Sequence, residues 1–322
     1  MKWVRKYFPI LALILLISCN REDKLEKEIA KIPLELKTER FDREFADASP
    51  TDIPKLKSKY PYLFPKQFSD SIWIAKLKDT IQQELLSEVN KTFPDFSEQE
   101  LELTSLFQHI TYYFPGYVVP KVVTLTSEVQ YDNRVVLTDS LLLLGLDNYL
   151  GEDHHFYRGV SRYIAKGLDK HYLVSDVASA FAKTLNRYPR NRTFLSRMVY
   201  HGKELYLKDK LIPQTSDAQK INYTQEELEW AVRNEEQIWR YYVENELLYS
   251  TSSELDRRFL DPAPFSKFQL ELDSESPGRL GRYMGWQVVR AFMDKNPKVS
   301  LVELLDIPAD DIFKKSNYKP KK

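Results

Sequence analysis

Residues 276–286 read Ser276-Pro277-Gly278-Arg279-Leu280-Gly281-Arg282-Tyr283-Met284-Gly285-Trp286 and hold three of the nine glycines in this 322-residue chain. A glycine inside a helix costs about 1 kcal/mol relative to alanine, so another interaction must offset it. Close packing against a second helix would do so, because a missing side chain lets two backbones approach. The alternative is an arginine-bearing helix start that receives an anion or the carboxylate of a partner.

The sequence on both sides of this segment is typical of helices, because apolar residues recur at helical spacing. In the second half of the chain, the predicted helices cover 156–167, 171–187, 191–209, 224–249 and 279–294, with a final pair after Ser300. Upstream, short amphipathic helices are predicted between Pro50 and Phe93, and a longer one from Ser97 to Phe114.

Strand patterns are confined to the front of the chain. Residues 32–36 alternate apolar with other side chains, and residues 118–127 and 134–138 are rich in β-branched residues. Residues 131–133, Tyr-Asp-Asn, are predicted to form the turn between the last two strands. We therefore expect a predominantly helical α+β fold with a small antiparallel sheet, in one domain over residues 32–322.

The first 19 residues have the features of a bacterial lipoprotein signal peptide. A positive start is followed by an apolar run over residues 8–17, which is too short to span a bilayer. Leu16-Ile17-Ser18-Cys19 then matches a lipobox. We expect cleavage after residue 18 and acylation of Cys19, the only cysteine, with fatty acids such as palmitate. Residues 19–31 are expected to form a polar lipidated tether, or alternatively the first helical turn of the domain.

Charge and sorting signals restrict the partners of the mature chain. Removal of the leader leaves 304 residues with 44 basic and 47 acidic side chains, a balance that does not favour nucleic acid. Asn20 follows Cys19, in place of the aspartate that retains lipoproteins at the inner membrane in well-known sorting systems. We therefore expect anchoring to membrane lipid through Cys19, in the outer membrane and facing the periplasm.

The sequence lacks the motifs of common enzymes. No pair among the five histidines has the four-residue spacing of an H-E-x-x-H zinc helix. Residues 152–155, Glu-Asp-His-His, could chelate a metal only from a loop, and a solvated polar turn is the alternative. The chain also lacks G-x-S-x-G and a glycine-rich phosphate loop. We expect no metal and no cofactor other than the covalent lipid.

Glu235 lies within the apolar stripe of the predicted helix 224–249. A carboxylate in such a stripe needs a partner or acquires a raised pKa. We expect either a buried ion pair with Arg279, Arg282 or Arg290, or a functional carboxylate in a cleft. These four residues are the candidate cleft or partner-binding residues.

Several blocks of sequence resemble the gliding motility-associated lipoproteins of the GldB family. The blocks are 39–42 (ERFD), 146–151 (LDNYLG), 198–206 (MVYHGKELY), 230–239, 262–268 (PAPFSKF) and 276–290. The resemblance covers nearly the whole chain and implies a cell-envelope lipoprotein required for surface gliding. It also implies the setting of type IX protein secretion, with other gliding or secretion envelope proteins as partners. No enzymatic activity follows from it.

That family in turn distantly resembles zincin-like metalloprotease domains, which bind zinc through two helical histidines. The resemblance places Ser175 and Ser179 where those histidines would lie, and the third ligand near residues 201–204, His-Gly-Lys-Glu. Serine hydroxyls are poor zinc ligands, so a metal-activated water is not expected.

Three functional hypotheses remain open from the sequence. The first is a non-catalytic scaffold, zincin-like in fold, whose former cleft packs or binds partner proteins. The second is a zinc-dependent peptidase or peptidoglycan hydrolase with the unusual ligands Glu152, His154 and Glu235. The third is a structural anchor without a cleft.

Overall fold

The computed structural model describes residues 24–271 and 273–320. Most of these residues are helical, and four short strands form one sheet. The predicted class, a predominantly helical α+β fold, is confirmed. The leader 1–18 and Cys19 lie outside the described residues, as does the start of the tether.

In the described front half of the chain lie the sheet and, after a helical segment at residues 24–29, five further helices. The strands are β1 (Thr38–Arg40), β2 (Lys121–Leu125), β3 (Val135–Leu137) and β4 (Leu141–Gly145). The helices are α1 (Phe41–Ala46), α2 (Ile53–Lys59), α3 (Asp70–Lys78), α4 (Thr80–Thr92) and α5 (Ser97–Tyr113).

The sheet is mixed rather than antiparallel, with strand order β1-β2-β4-β3. β1 pairs in parallel with β2, and β2 in parallel with β4. Only β3 and β4 are antiparallel, with Val136 opposite Leu143. The predicted antiparallel sheet is therefore wrong for two of the three pairings, and the predicted strand at 32–36 lies instead at Thr38–Arg40.

The buried carboxylate of Asp147 explains why residues 118–138 do not form the predicted hairpin. Asp147 accepts hydrogen bonds from the backbone N–H of Ser127 at 2.8 Å and of Val129 at 2.6 Å. These bonds hold the segment after β2 in a loop, so β2 and β3 do not pair. β3 instead pairs with β4, a leucine-rich strand that the sequence analysis did not predict.

The second half is helical, close to prediction. Its helices are α6 (Arg162–Ala165), α7 (Leu173–Leu185), α8 (Phe194–Leu211), α9 (Asp217–Ile221), α10 (Gln225–Arg233), α11 (Glu235–Glu244), α12 (Glu254–Phe259), α13 (Leu280–Lys295), α14 (Leu301–Asp306) and α15 (Ala309–Ser316). The predicted helix 224–249 is divided at Asn234, whose side-chain amide donates to the Trp230 carbonyl at 2.8 Å and so ends α10. Glu235 is consequently the first residue of α11.

Part of the predicted tether is folded onto the domain. Residues 24–29 are helical, and Ile29 is buried. Nε2 of His109, on α5, lies 3.3 Å from the Glu26 carboxylate. For these residues the structure matches the alternative of a first helical turn.

α8 is the central helix and packs most extensively on α13. The two helices cross at Gly202 and Gly285. A Cβ added to Gly202 would lie 2.3 Å from the Gly285 carbonyl oxygen, and one added to Gly285 would lie 1.9 Å from the Met198 carbonyl oxygen. No side chain fits at either position, so the close helix packing predicted for residues 276–286 is confirmed.

A buried lysine connects α8 to the end of α14. Nζ of Lys203 donates to the carbonyls of Leu305 and Ile307, at 2.8 Å each. Burial lowers the pKa of Lys203 to about 8.

We expect Gly285→Ala to lower the free energy of unfolding by about 3 kcal/mol, because the new methyl group overlaps the backbone of α8. Alanine favours a helix over glycine by about 1 kcal/mol, so helix propensity alone predicts the opposite sign. Chemical denaturation would measure the change. Ala291→Gly on the same helix is the control and should cost only about 1 kcal/mol. A Gly285→Ala protein as stable as the wild type would contradict the close crossing.

The lowered pKa of Lys203 makes stability depend on pH. Between pH 8 and about 10.4, the usual lysine pKa, the unfolded chain holds a proton that the folded chain loses. The free energy of unfolding should therefore rise with pH, by at most about 1.4 kcal/mol per unit for this group. Denaturation of Lys203→Met at pH 8 to 10 should show a flatter rise than the wild type. Lys314→Met, at an exposed lysine, should keep the wild-type slope; equal slopes in all three proteins would refute the assignment.

A cation-lined cavity as the candidate functional site

A cavity of about 410 Å³ lies between α7, α8 and the start of α13. The loop before β3, helix α6, and the segments around Asn222 and Pro262 complete its wall. Gly278 allows the turn into α13 to approach this wall, because a Cβ there would lie 2.2 Å from the Ala263 carbonyl oxygen. The glycine-rich segment thus positions both the helix crossing and one side of the cavity.

The wall carries an excess of positive charge. Its basic side chains are Arg134, Lys166, Lys183, Lys208, Lys220, Arg279 and Arg282. Its acidic side chains are Asp132, Asp176 and Glu204.

Three of these bases are paired with carboxylates. Arg134 donates to both carboxylate oxygens of Asp176, from Nε at 2.6 Å and from Nη2 at 3.0 Å. Lys166 pairs with Glu227, and Lys220 pairs with Asp209 and Asp217, none of which lines the cavity. Among residues 24–271 and 273–320, no carboxylate lies within 4 Å of the other four bases. They are Lys183, Lys208, Arg279 and Arg282.

The two arginines at the start of α13 are held by backbone carbonyls. Arg279 donates from Nη2 to the Asn222 carbonyl at 2.6 Å, and its guanidinium lies 5.6 Å from the centroid of the Tyr223 ring. Arg282 donates from Nε to the Leu260 carbonyl at 2.5 Å. Burial, together with the nearby charge of Arg279, lowers the pKa of Arg282 to about 10. Arg282 still remains a cation at neutral pH.

α8 presents His201, Glu204 and Lys208 to the same cavity, because positions three and four residues apart lie on one helical face. Lys208 is buried and donates to the Lys220 carbonyl at 2.7 Å and to the Ser175 hydroxyl at 3.0 Å. Burial lowers its pKa to about 8.

His201 is an unsatisfied group in this wall. Its Nδ1 is buried and has no hydrogen-bond partner among the residues described. Burial, and then the charge of Arg282, lowers the pKa of His201 well below its usual value. The imidazole is therefore neutral at physiological pH, with one nitrogen donating and the other accepting.

The positions that the zincin-like resemblance assigned to zinc ligands are only partly brought together. Ser179, His201 and Glu204 all line the cavity. Ser175 is buried beside it, where its hydroxyl donates to the Gln219 carbonyl at 3.0 Å and accepts from Lys208. The ammonium group of Lys208 therefore lies next to Ser175, the first position that the resemblance assigned to a zinc ligand.

Of the four candidate cleft residues, Arg279 and Arg282 line the cavity, whereas Glu235 and Arg290 do not. Arg290 donates to both oxygens of Asp209 and of Asp217, and its guanidinium lies 3.6 Å from the Trp286 ring centroid.

Glu235 is buried and interacts with two tyrosines. The hydroxyl of Tyr283 donates to it at 2.7 Å, and that of Tyr318, near the end of the chain, at 2.8 Å. The predicted ion pair with Arg279, Arg282 or Arg290 is not formed, because these arginines hydrogen-bond elsewhere.

The histidine loop at residues 152–155 faces α4. Nε2 of His154 lies 3.3 Å from the Glu88 carboxylate, and Nε2 of His155 lies 3.0 Å from that of Glu84. In the described part of the chain, no group of three or more His, Cys, Asp or Glu side chains could hold a metal ion. The alternative ligand set of Glu152, His154 and Glu235 is therefore not assembled.

Sequence reasoning missed most of the basic residues of the cavity, above all Lys183 and Lys208. The signal available was the spacing of His201, Glu204 and Lys208, which places three polar groups on one face of a helix that is otherwise largely buried. The contributions of the loops near Tyr131 and Asn222 have no comparable local signal.

The fold and the cavity define a helical α+β protein with a cation-lined cavity. Comparison with protein families then identifies it further. The model for gliding motility protein GldB matches residues 22–320, and the chain belongs to this family. Membership associates the chain with gliding motility and, through the family's lipoprotein designation, with the cell envelope.

The other comparisons found no relatives. No curated protein matches the chain, and no solved structure matches it. No helix in the described residues has the length and hydropathy needed to cross a bilayer.

We expect Tyr318→Phe to destabilise the protein by about 1 to 3 kcal/mol, because the buried Glu235 loses a hydrogen-bond donor. The ring of Tyr318 packs edge-on against Trp239, 5.1 Å between centroids, and the phenylalanine ring keeps that contact. Thermal denaturation would measure the loss. Tyr249→Phe, at an exposed tyrosine, is the control and should change little. Equal stability of both variants would show that the tyrosine bond contributes nothing.

Proposed function

We propose that this protein is a non-catalytic, lipid-anchored component of the gliding apparatus that acts by binding partner proteins in the cell envelope. Its setting is the machinery coupled to type IX secretion. Family membership supports the motility role, and the chemistry of the cavity supports binding rather than catalysis.

The observation that carries the proposal is the cationic character of the site where a zincin-like fold would hold its metal. Lys208 donates to the Ser175 hydroxyl, and Arg279 and Arg282 approach from α13 without forming an ion pair within 4 Å to any described carboxylate. Positive charges this close oppose the binding of a divalent cation. The same charges favour a ligand with a negative group.

The polar groups of the wall also lack the arrangement of a nucleophilic enzyme. An activated nucleophile needs a base within hydrogen-bond reach. Ser179 is the serine hydroxyl of the wall, and no hydrogen bond joins it to His201 within the described residues. His201 in turn lacks an orienting carboxylate on Nδ1. A degenerate metalloprotease-like cleft that binds a partner accounts for these features.

Lipid attachment at Cys19 would hold the folded body close to the membrane. Lys24, the first residue that the structure describes, comes five residues after the cysteine. Five residues reach about 17 Å at most. A partner bound in the cavity would therefore be recruited near the lipid surface, which we propose is the periplasmic face of the outer membrane.

A gliding assay with charge-neutralising substitutions tests this function. We expect Arg282→Gln combined with Lys183→Gln to reduce surface gliding strongly, because two unpaired cations of the cavity are lost. The control is Arg233→Gln, an exposed arginine on α10 that lies outside the cavity. Crosslinked envelopes should yield a partner with the wild type and the control, and less of it with the double variant. A double variant that folds, as judged by its melting curve, and glides normally would refute a role for the cavity.

A further inference from the structure

Four cations of the cavity, Lys183, Lys208, Arg279 and Arg282, have no carboxylate within 4 Å in the part of the chain that the structure describes. Only Lys208 among them is buried, whereas Arg279 and Arg282 are half-buried and Lys183 is exposed. The clearest unused donors are those of Arg282. Its Nε is engaged by the Leu260 carbonyl, whereas Nη1 and Nη2 have no hydrogen-bond partner in the described part of the chain. Two of its donor groups are thus available to a ligand.

Lys208 and Lys183 add donors from two other helices. The Lys208 ammonium uses two of its three N–H groups, on Ser175 and on the Lys220 carbonyl. Lys183 is exposed at the cavity and has no ion-pair partner within the described residues. Together with Arg282, these side chains converge on one space from α7, α8 and α13.

His201 provides a second, independent indication of a ligand. Its buried Nδ1 has no partner among the described residues, although nearly all buried polar atoms in proteins have one. Because the ring is neutral, it can donate a hydrogen bond to an anion from one nitrogen.

We propose that this cavity binds a small ligand through an oxyanion group, a phosphate or a carboxylate, with Arg282 as the principal contact. Planar guanidinium groups form paired hydrogen bonds with such oxygens. A volume of about 410 Å³ falls within the range of small-molecule sites.

Glu204 indicates what else the ligand carries. It lines the cavity close enough to Lys208 and Arg282 to influence both, yet it forms no ion pair within 4 Å in the part of the chain described. A buried carboxylate beside an anion site would repel a ligand that is negative throughout. The ligand therefore combines its oxyanion with a hydrogen-bond donor, such as an amine or a hydroxyl group, that reaches Glu204.

This inference rests on the proposed function only in treating the cavity as a binding site rather than a catalytic one. It concerns affinity in solution, whereas the proposed function concerns gliding and partner capture. A protein that binds oxyanions but whose cavity variants glide normally would separate the two.

Calorimetric titration of the detergent-solubilised full chain tests the inference, with O-phosphoethanolamine and glycine as probes. These carry a phosphate and a carboxylate, respectively, each together with an amine that can reach Glu204, and chloride at equal ionic strength is the blank. We expect saturable binding of at least one oxyanion with one site per chain. The two probes distinguish a phosphate ligand from a carboxylate ligand. Absence of saturable binding by both would overturn the proposal.

The variants assign that binding to the cavity. Arg282→Gln should weaken it at least about tenfold, because a charged hydrogen bond contributes about 1.5 kcal/mol or more. Lys183→Gln should weaken binding about threefold or more. Because Lys183 is exposed, this variant can be measured even if Arg282→Gln does not fold. Arg233→Gln should bind like the wild type. Unchanged affinity in folded Arg282→Gln or in Lys183→Gln would overturn the proposal.

Discussion

The contact on which the structure depends is the backbone approach of α8 and α13 at Gly202 and Gly285. The Gly285 carbonyl lies where a side chain on Gly202 would begin, and the Met198 carbonyl where one on Gly285 would begin. Because the helices approach this closely, His201 and Glu204 on one are brought beside Arg279 and Arg282 on the other. The same crossing therefore determines the core and the shape of the cavity.

Among the described residues, the bases in and around the cavity divide into those paired with carboxylates and those with unused hydrogen-bond donors. Arg290 resembles Arg282 in chemistry, but its guanidinium donates four hydrogen bonds to Asp209 and Asp217. Arg282 has one carbonyl contact, and its Nη1 and Nη2 have no hydrogen-bond partner among the residues described. Because Arg290 is fully paired in the same molecule, the unused donors of Arg282 distinguish it as a group that could bind a ligand.

How far the sequence predicted the structure differs between its two halves. Helices α5, α7, α8 and α13 were predicted within a few residues, because their apolar residues recur at helical spacing and their ends carry caps such as Thr193. The sheet was not predicted correctly. β1 and β2 are separated by some eighty residues, and the loop between β2 and β3 depends on Asp147, which follows both strands. Neither the pairing of β1 with β2 nor the role of Asp147 in the loop produces a pattern in the neighbouring sequence.

For the candidate site too, some residues were predicted from the sequence and their partners were not. Arg279 and Arg282 were recognised because they stand in an unusual glycine-rich segment, and Glu235 because its charge interrupts an apolar stripe. The partners of Glu235, however, are tyrosines from α13 and from the end of the chain, and the partners of Arg290 come from α8 and α9. A helical pattern reveals that a polar group is buried but not which distant segment satisfies it.

The position of β2 between two parallel neighbours also constrains the order of biosynthesis. β2 pairs with β1, which precedes it by the whole set of front helices, and with β4, which follows it. A nascent chain cannot complete this sheet until Gly145 has left the ribosome, and the closure of so long a segment is entropically unfavourable until then. The amino-terminal third should therefore stay open during early synthesis, a state compatible with handling by chaperones or transport as an extended polypeptide.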